Sequence, residues 1–344
     1  SILEEYNRIT STTSSINIEY ENARKNVEKI LNDIDSAKSN IKKLEEFDSN
    51  SVSMLNNAKQ EYEEAKARYD EVIDAQHNAA ENMPQIKAEL DECIKDEEAK
   101  KKAEEEAKKA EEAAKAERDK SMSLQPGVAV GTMDPQDDEK VVYLTFDDGP
   151  SANTQRVLDI LDQYDAKATF FITAQQPDYF PMIKKVYDEG HTIGLHSYTH
   201  EYDQVYASVD AYFDDLEKIG EVAKEQLGFV PCFIRFPGGA SNSISKKYSA
   251  GIMTQLTQQV LDKGYQYYDW NVSSGDGGTV TADQIIAQSE TDEYTKVMLL
   301  FHDTEAKEST IQALPTVMEY YKNLGYSFKA IDRESLVVHH SVNN

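Results

Sequence analysis

Between Tyr20 and Leu44 the apolar positions Tyr20, Ala23, Val27, Ile30, Ile34, Ala37, Ile41 and Leu44 recur at alternating steps of three and four, with charged and amide residues between them. Such a stripe keeps one narrow helix face apolar along its whole length, which is the pattern of a coiled-coil seam. Asp48-Ser49-Asn50-Ser51 breaks the rhythm with turn and helix-capping chemistry. It restarts at Leu55, Ala58, Tyr62, Ala65, Tyr69 and Val72, so the spacing predicts two helices folded back as an antiparallel hairpin. A third helix is expected from Met83-Pro84 through Ile86, Leu90 and Ile94, because proline suits a first helical turn. Over 95–120 blocks of Glu, Lys and Ala replace the large apolar residues. Oppositely charged pairs three and four apart, each worth ~0.2–0.5 kcal/mol, predict an exposed helical stalk there. Tyr62 and Tyr69 lie on the seam, and at that spacing they read as packing rather than as a sugar-stacking platform.

Residues 121–139, with Gln125-Pro126-Gly127, Gly131 and Asp134-Pro135, read as a linker or irregular lead-in. Beyond them apolar runs of strand length alternate with amphipathic stretches. Strands are expected at 141–148, 167–173, 192–197, 232–237, 265–271, 296–303 and 326–331, and helices at 154–163, 179–189, 206–226, 254–263, 282–291 and 310–322. This alternation predicts an α/β fold, a distorted (β/α)7 barrel preceded by an all-α coiled-coil or helical-hairpin domain. The expected domains are 1–120 and 140–344, with 121–139 between them.

Composition supports the division, since all 15 glycines and all but one of the 9 prolines lie beyond residue 120. The two parts therefore obey different structural rules. A net charge of −27 repels polyanions and excludes nucleic acid as a partner. Cys93 and Cys232 fall one in each part and make no metal-binding spacing. No apolar run is long enough to span a bilayer. The chain begins Ser-Ile-Leu, and a leader or membrane anchor upstream of this chain is expected, with an extracellular or cell-surface location.

The chemistry gathers where strands end. Asp147-Asp148 closes the first strand, His196 and His200 follow the third, Arg235-Phe236-Pro237-Gly238-Gly239 the fourth, Asp269-Trp270 the fifth, and His302-Asp303 the sixth. In an α/β barrel the carboxyl ends of strands converge on one mouth, so these residues are expected to meet. One carboxylate and two imidazoles can hold a divalent ion and leave open positions for water and substrate. An adjacent unliganded acid can then take a proton from that water.

Thr-Phe-Asp-Asp-Gly-Pro at 145–150, His-Ser-Tyr-Thr-His at 196–200, Arg-Phe-Pro-Gly-Gly at 235–239, Asp269-Trp270 and Leu-Phe-His at 300–302 resemble the five ordered motifs of the polysaccharide deacetylases, the family four carbohydrate esterases with a NodB-homology domain. The resemblance covers about 140–332 and says nothing of 1–120. It implies that Asp148, His196 and His200 bind one divalent ion, zinc above all, with cobalt and other divalent ions open. Asp147 would be the base, Arg235 would hold it, His302 would protonate the leaving amine, and Asp269 would orient His302. The Gly238 N–H would face the acetyl oxygen, while Trp270 and Leu300 would wall the slot for the methyl group. Gly238 stands where many relatives carry an aromatic residue, which opens the groove wall.

The expected activity is metal-dependent removal of N-acetyl groups from N-acetylglucosamine units of a polymer, with peptidoglycan preferred. O-acetyl ester cleavage on xylan-like polymers and deacetylation of chitin oligosaccharides are alternatives. A surface coiled-coil protein with an inactive glycan-binding barrel is another, opposed by the presence of both Asp147 and His302. Residues 1–120 are expected to self-associate as a coiled coil or to meet a wall- or membrane-associated partner. His191, His77 and His339-His340 read as structural or solvated, Asp276 in Ser-Gly-Asp-Gly-Gly as turn chemistry or groove lining, and Asp303 as an assistant or loop cap.

Overall fold

The computed structural model describes residues 2–45, 52–135 and 137–343; the turn expected at 48–51 lies outside them. The chain divides into two compact units between Ala113 and Ala114.

The first unit is all α, formed by α1 (Ile2–Glu45) and the greater part of α2 (Val52–Met122). The seam positions are the sheltered ones. Ile34 and Ala65 are buried, and Val27, Ile30, Ile41, Leu55, Tyr62 and Tyr69 are half-buried among exposed neighbours. Ile16 and Tyr20 share a groove with Ala79 and Ile86, while Asn40 and Leu44 share one with Met54 and Ala58. The two helices are thus antiparallel. No third helix starts at Met83-Pro84, because α2 runs through with Pro84 inside it. An interior proline gives up a hydrogen bond and crowds the carbonyl four residues back, costing about 3 kcal/mol. Here strong helix formers flank it, and half-buried Met83, Ile86 and Leu90 carry the sheltered stripe across it.

Among its described residues the second unit holds eight strands, β1 (Val141–Asp147), β2 (Ala168–Thr173), β3 (Thr192–Ser197), β4 (Phe233–Ile234), β5 (Gln266–Tyr267), β6 (Val272–Ser273), β7 (Lys296–His302) and β8 (Ser327–Phe328). Between them run α3 (Ala152–Gln163), α4 (Phe180–Asp188), α5 (Tyr202–Val205), α6 (Val209–Leu227), α7 (Ile252–Asp262), α8 (Ala282–Ser289) and α9 (Glu308–Asn323). The strands are parallel in the order β5-β4-β3-β2-β1-β7-β6, with β8 on Val141 and Val142 at the foot of β1. That is a curled sheet with the cyclic order of a barrel, open between β5 and β6. Of the expected strand at 265–271 only β5 forms, since the chain leaves it after Tyr267, crosses to the opposite edge and pairs there as β6 just beyond the expected range. The C-terminal segment lies along this crossing, where Asp269 N donates to Val338 O at 2.8 Å.

Residues 121–135 are not a free linker. Met122 O accepts from Cys232 N at 3.0 Å, Leu124 N donates to Val230 O at 2.7 Å, and Gly131 N donates to Arg333 O at 2.6 Å. Just before them the Arg118 guanidinium donates to Tyr187 O and His191 O, each at 2.8 Å, and lies 3.9 Å from the centre of the Tyr187 ring. Glycine and proline here shape a strap along the sheet.

Alternation along the strands sorts the core. Val142, Leu144, Phe146, Phe170, Leu195 and Phe301 pack under the helices, with Phe146 stacked between Phe170 and Phe301 at 5.1 and 5.6 Å. Val141, Tyr143, Phe171, Phe233 and Met298 fill the inside of the curl. Gly194 shares that inner space, because a Cβ there would fall 2.4 Å from the Phe171 ring. The same period of two puts Thr145 and Asp147 of β1, His196 of β3 and His302 of β7 on the inner face, nearest the carboxyl ends.

Candidate active site

Arg235, just past β4, is wholly buried. Its Nε donates to Tyr268 O at 2.8 Å, Nη1 to Thr145 Oγ1 and Asp147 Oδ1 at 2.8 Å, and Nη2 to Asp269 O at 3.1 Å. The Phe171 ring lies flat beneath it at 4.3 Å. The guanidinium thus joins β1 to the crossing segment and binds Asp147. Burial pushes the Asp147 carboxyl above its usual range, and the charge of Arg235 opposes that shift. An acid held this way binds a proton more readily than an exposed one, which suits a base.

Asp148 turns outward from the end of β1 in a left-handed conformation, φ 73°. Its Oδ1 lies 3.4 Å from His196 Nε2 and 3.2 Å from His200 Nε2. His196 Nδ1 sits 2.7 Å from Arg235 O, and since a carbonyl only accepts, Nδ1 carries the proton and Nε2 a lone pair. Burial lowers the His196 pKa to about 3, with the charge of His200 acting the same way, so the ring is neutral. Asp148 Oδ1 is buried with no hydrogen-bond partner among the described residues, and one donor atom from each of Asp148, His196 and His200 lies within 4.8 Å of the others. A bare carboxylate oxygen facing a neutral imidazole lone pair fits a divalent cation.

Opposite stands His302, the register partner of Asp147 across the β1–β7 pair. Its orienting acid is not the expected one. Asp269 instead accepts from Ala240 N and His340 N, each at 2.8 Å, and so holds the Gly238-Gly239 turn and the C-terminal segment together. Asp276 takes the place, with Oδ1 2.7 Å from His302 Nδ1 and Oδ2 accepting from His302 N at 2.9 Å and Thr310 Oγ1 at 2.7 Å. Lys307 Nζ clasps the carbonyls of Asp276 and Gly277. Burial alone would lower the His302 pKa, but the hydrogen bond and charge of Asp276 carry it up to about 9. Burial acts against Asp276 as well, yet the same bond keeps that carboxyl below its ordinary range.

Gly238 is exposed at the mouth in a left-handed conformation, φ 76°. Trp270 is half-buried, 5.6 Å from the Arg235 guanidinium and in contact with Gly239. Leu300 is buried on β7 opposite Thr145. Asp303 faces away from the mouth, its carboxylate on Thr154 and its carbonyl on Ser151 at the start of α3, which makes it a cap. His191 is buried and accepts from Ala168 N, as expected of a structural residue. His339 and His340 are not solvated, because His339 stacks on Tyr267 at 3.7 Å and His340 bonds Ser241 and Trp270 O.

A half-closed parallel sheet gathers at one mouth a carboxylate and two imidazoles placed as a divalent ion would need them, with Asp147 and His302 beside them, a layout suited to metal-assisted hydrolysis. The chain belongs to the polysaccharide deacetylase family, whose model matches residues 134–255. It is 31% identical over 206 residues to a Bacillus cereus peptidoglycan-N-acetylglucosamine deacetylase, covering 58% of this chain and 71% of the relative. It is 30% identical to the peptidoglycan-N-acetylmuramic acid deacetylase PdaA of Bacillus subtilis, covering 56% and 71%. Among solved structures, the catalytic domain of the Eubacterium rectale peptidoglycan N-acetylglucosamine deacetylase matches with a TM-score of 0.59 and 42% identity, over 64% of this chain and all of that one.

Proposed function

We propose that this chain hydrolyses the N-acetyl groups of N-acetylglucosamine units in peptidoglycan, using one divalent ion, zinc, held by Asp148, His196 and His200. The observation that carries the reading is the bare Asp148 Oδ1 between two imidazoles, beside an acid tied to a buried arginine. The relatives named for peptidoglycan deacetylation support the choice of polymer.

When bound, the cation supplies Lewis acidity, which acidifies a water and draws electrons from the acyl oxygen. Asp147, steadied by Arg235, accepts the proton as the water oxygen bonds to the acetyl carbon. The Gly238 N–H donates to the acyl oxygen as charge grows there. His302, whose Nδ1 is held by Asp276, has Nε2 left to deliver its proton to the nitrogen as the C–N bond breaks. Acetate and a free amine result. Trp270 and Leu300 bound the methyl slot. No described helix is long and apolar enough to cross a membrane; an anchor outside this chain would hold it at the wall, with the helical unit self-associating or meeting a wall partner.

The test measures free glucosamine amines and acetate released from purified peptidoglycan. Release of both in equal amounts is expected, abolished by a chelator, restored by zinc, and absent in His196→Ala. Acetate without new amines would instead indicate ester cleavage, and release that survives chelation would remove the metal from the reading.

A further inference from the structure

Among the described residues, two hydrogen-bond donors near Asp148, His196 and His200 have no partner, and one of them is a side-chain group. Tyr202 opens α5, two residues past His200. Its ring packs edge-on against His200 with centroids 5.7 Å apart and lies 6.0 Å from Tyr206, whose hydroxyl donates to Pro237 O at 2.8 Å. These contacts hold the half-buried phenol against the turn that carries Gly238. The Tyr202 hydroxyl lies 3.0 Å from the point a Cβ on Gly238 would occupy. The room a side chain at 238 would fill is therefore filled by this hydroxyl, and the left-handed backbone disfavours a side chain there in any case. Neither the Gly238 N–H nor the Tyr202 hydroxyl has a hydrogen-bond partner among the described residues. A phenol hydroxyl carries a hydrogen that it can donate.

We infer that Tyr202 is a catalytic residue, donating from its hydroxyl to the acetyl oxygen alongside the Gly238 N–H as that oxygen gains charge. The inference rests on the deacetylase reading above and deepens it. A structural role would need only the ring, which already packs on His200 and Tyr206. The hydroxyl adds nothing to that packing, and its place beside an exposed N–H makes a two-donor cradle.

Tyr202→Phe removes the one oxygen and keeps the ring. The experiment follows kcat and KM on chitin pentamer, the affinity of the zinc-loaded protein for the methylphosphonamidate analogue of that pentamer, and bound zinc. Loss of the donor is expected to lower kcat by about 10- to 100-fold with KM changed less than about threefold, to weaken the tetrahedral analogue by a similar factor, and to leave the zinc content alone. Unchanged kcat and analogue affinity would overturn the inference, as would loss of zinc or a rise in KM alone. Gly238→Ala gives a second check, because its Cβ would press on the hydroxyl. It should damage kcat more in the parent than in Tyr202→Phe, and equal damage in both would count against the cradle. Were the parent to release no acetate from any N-acetylated polymer, the deacetylase reading would fail, while analogue binding would still report on the hydroxyl.

Discussion

At the scale of single residues, two adjacent carboxylates have opposite surroundings. Asp147 is held by Arg235, whereas Asp148 has a bare oxygen facing two imidazoles. Asp147→Asn is expected to retain zinc and lose at least about 10²-fold in kcat, while Asp148→Asn loses zinc itself; metal analysis of both variants would show if these roles are reversed. The His302–Asp276 pair sets a second expectation. His302 titrates near 9 against 6.5 for a free imidazole, so its protonated acid form persists over the neutral range and is lost as pH rises through about 9. Asp276→Asn removes the largest opposition to burial and leaves only the charges of Asp147 and Asp148, so the alkaline limb of the rate profile should move to lower pH by about a unit or more. A limb that stays in place would show that His302 is not the proton donor. The same pair links to stability: the His302 share is full below 6.5 and fades as pH rises through 9, whereas the Asp276 share fades as pH falls through its depressed pKa. The acids and histidines were legible in sequence because each group is local to one strand end. Asp276 was not, because its meeting with His302 depends on the chain crossing the open edge of the sheet, and a carboxylate between glycines reads first as a turn.

Among elements, α6 does more than cover the sheet. Its buried Asp215 accepts from Ser197 Oγ at 2.7 Å, Tyr198 N at 2.8 Å, Thr199 N at 2.9 Å and Thr199 Oγ1 at 2.8 Å, and Ser197 Oγ in turn accepts from His200 N at 2.8 Å. The loop between the two histidines is thereby wound onto one helix, with His200 in a left-handed conformation, φ 55°. Asp215→Asn, which turns two acceptors into one acceptor and one donor, is expected to weaken zinc affinity about 10-fold or more. Competition with a chelator of known affinity would measure this, and an unchanged zinc Kd would make Asp215 a fold residue only. Long strands buried on both faces, β1, β2, β3 and β7, could be read from their apolar runs with ends within about a residue or two. The two-residue strands could not be bounded so closely, because too few residues sit in register to impose a pattern. Pro84 misled for a related reason, since the sheltered stripe around it outweighs the local cost of one proline.

For the whole molecule, the cut after Ala113 matters more than the composition change near residue 120. We expect a chain starting at Ala114 to fold and turn over chitin pentamer as the full chain does. One starting at Asp137 would lose the Arg118 bonds to Tyr187 and His191, the Leu124 bond to Val230 and the Thr132 bond to Val337. A loss of at least about 3 kcal/mol is expected, which is roughly a 6–12 °C fall in Tm for a domain of this size. Equal melting temperatures for the two truncations would show that the strap merely rests on the sheet.

The pairing of Asp147 with His302 across β1 and β7 has a consequence for how such an enzyme can diversify. The proposed proton acceptor and proton donor are spaced by a backbone ladder, about 4.8 Å from strand to strand, and not by any loop. The rim past β4, where Lys246, Lys247 and Tyr248 are exposed, is free to be rewritten. Exchanging those three residues should redirect the choice of polymer while the pH profile on a short oligosaccharide stays put, so taste can drift in this scaffold without retuning the chemistry.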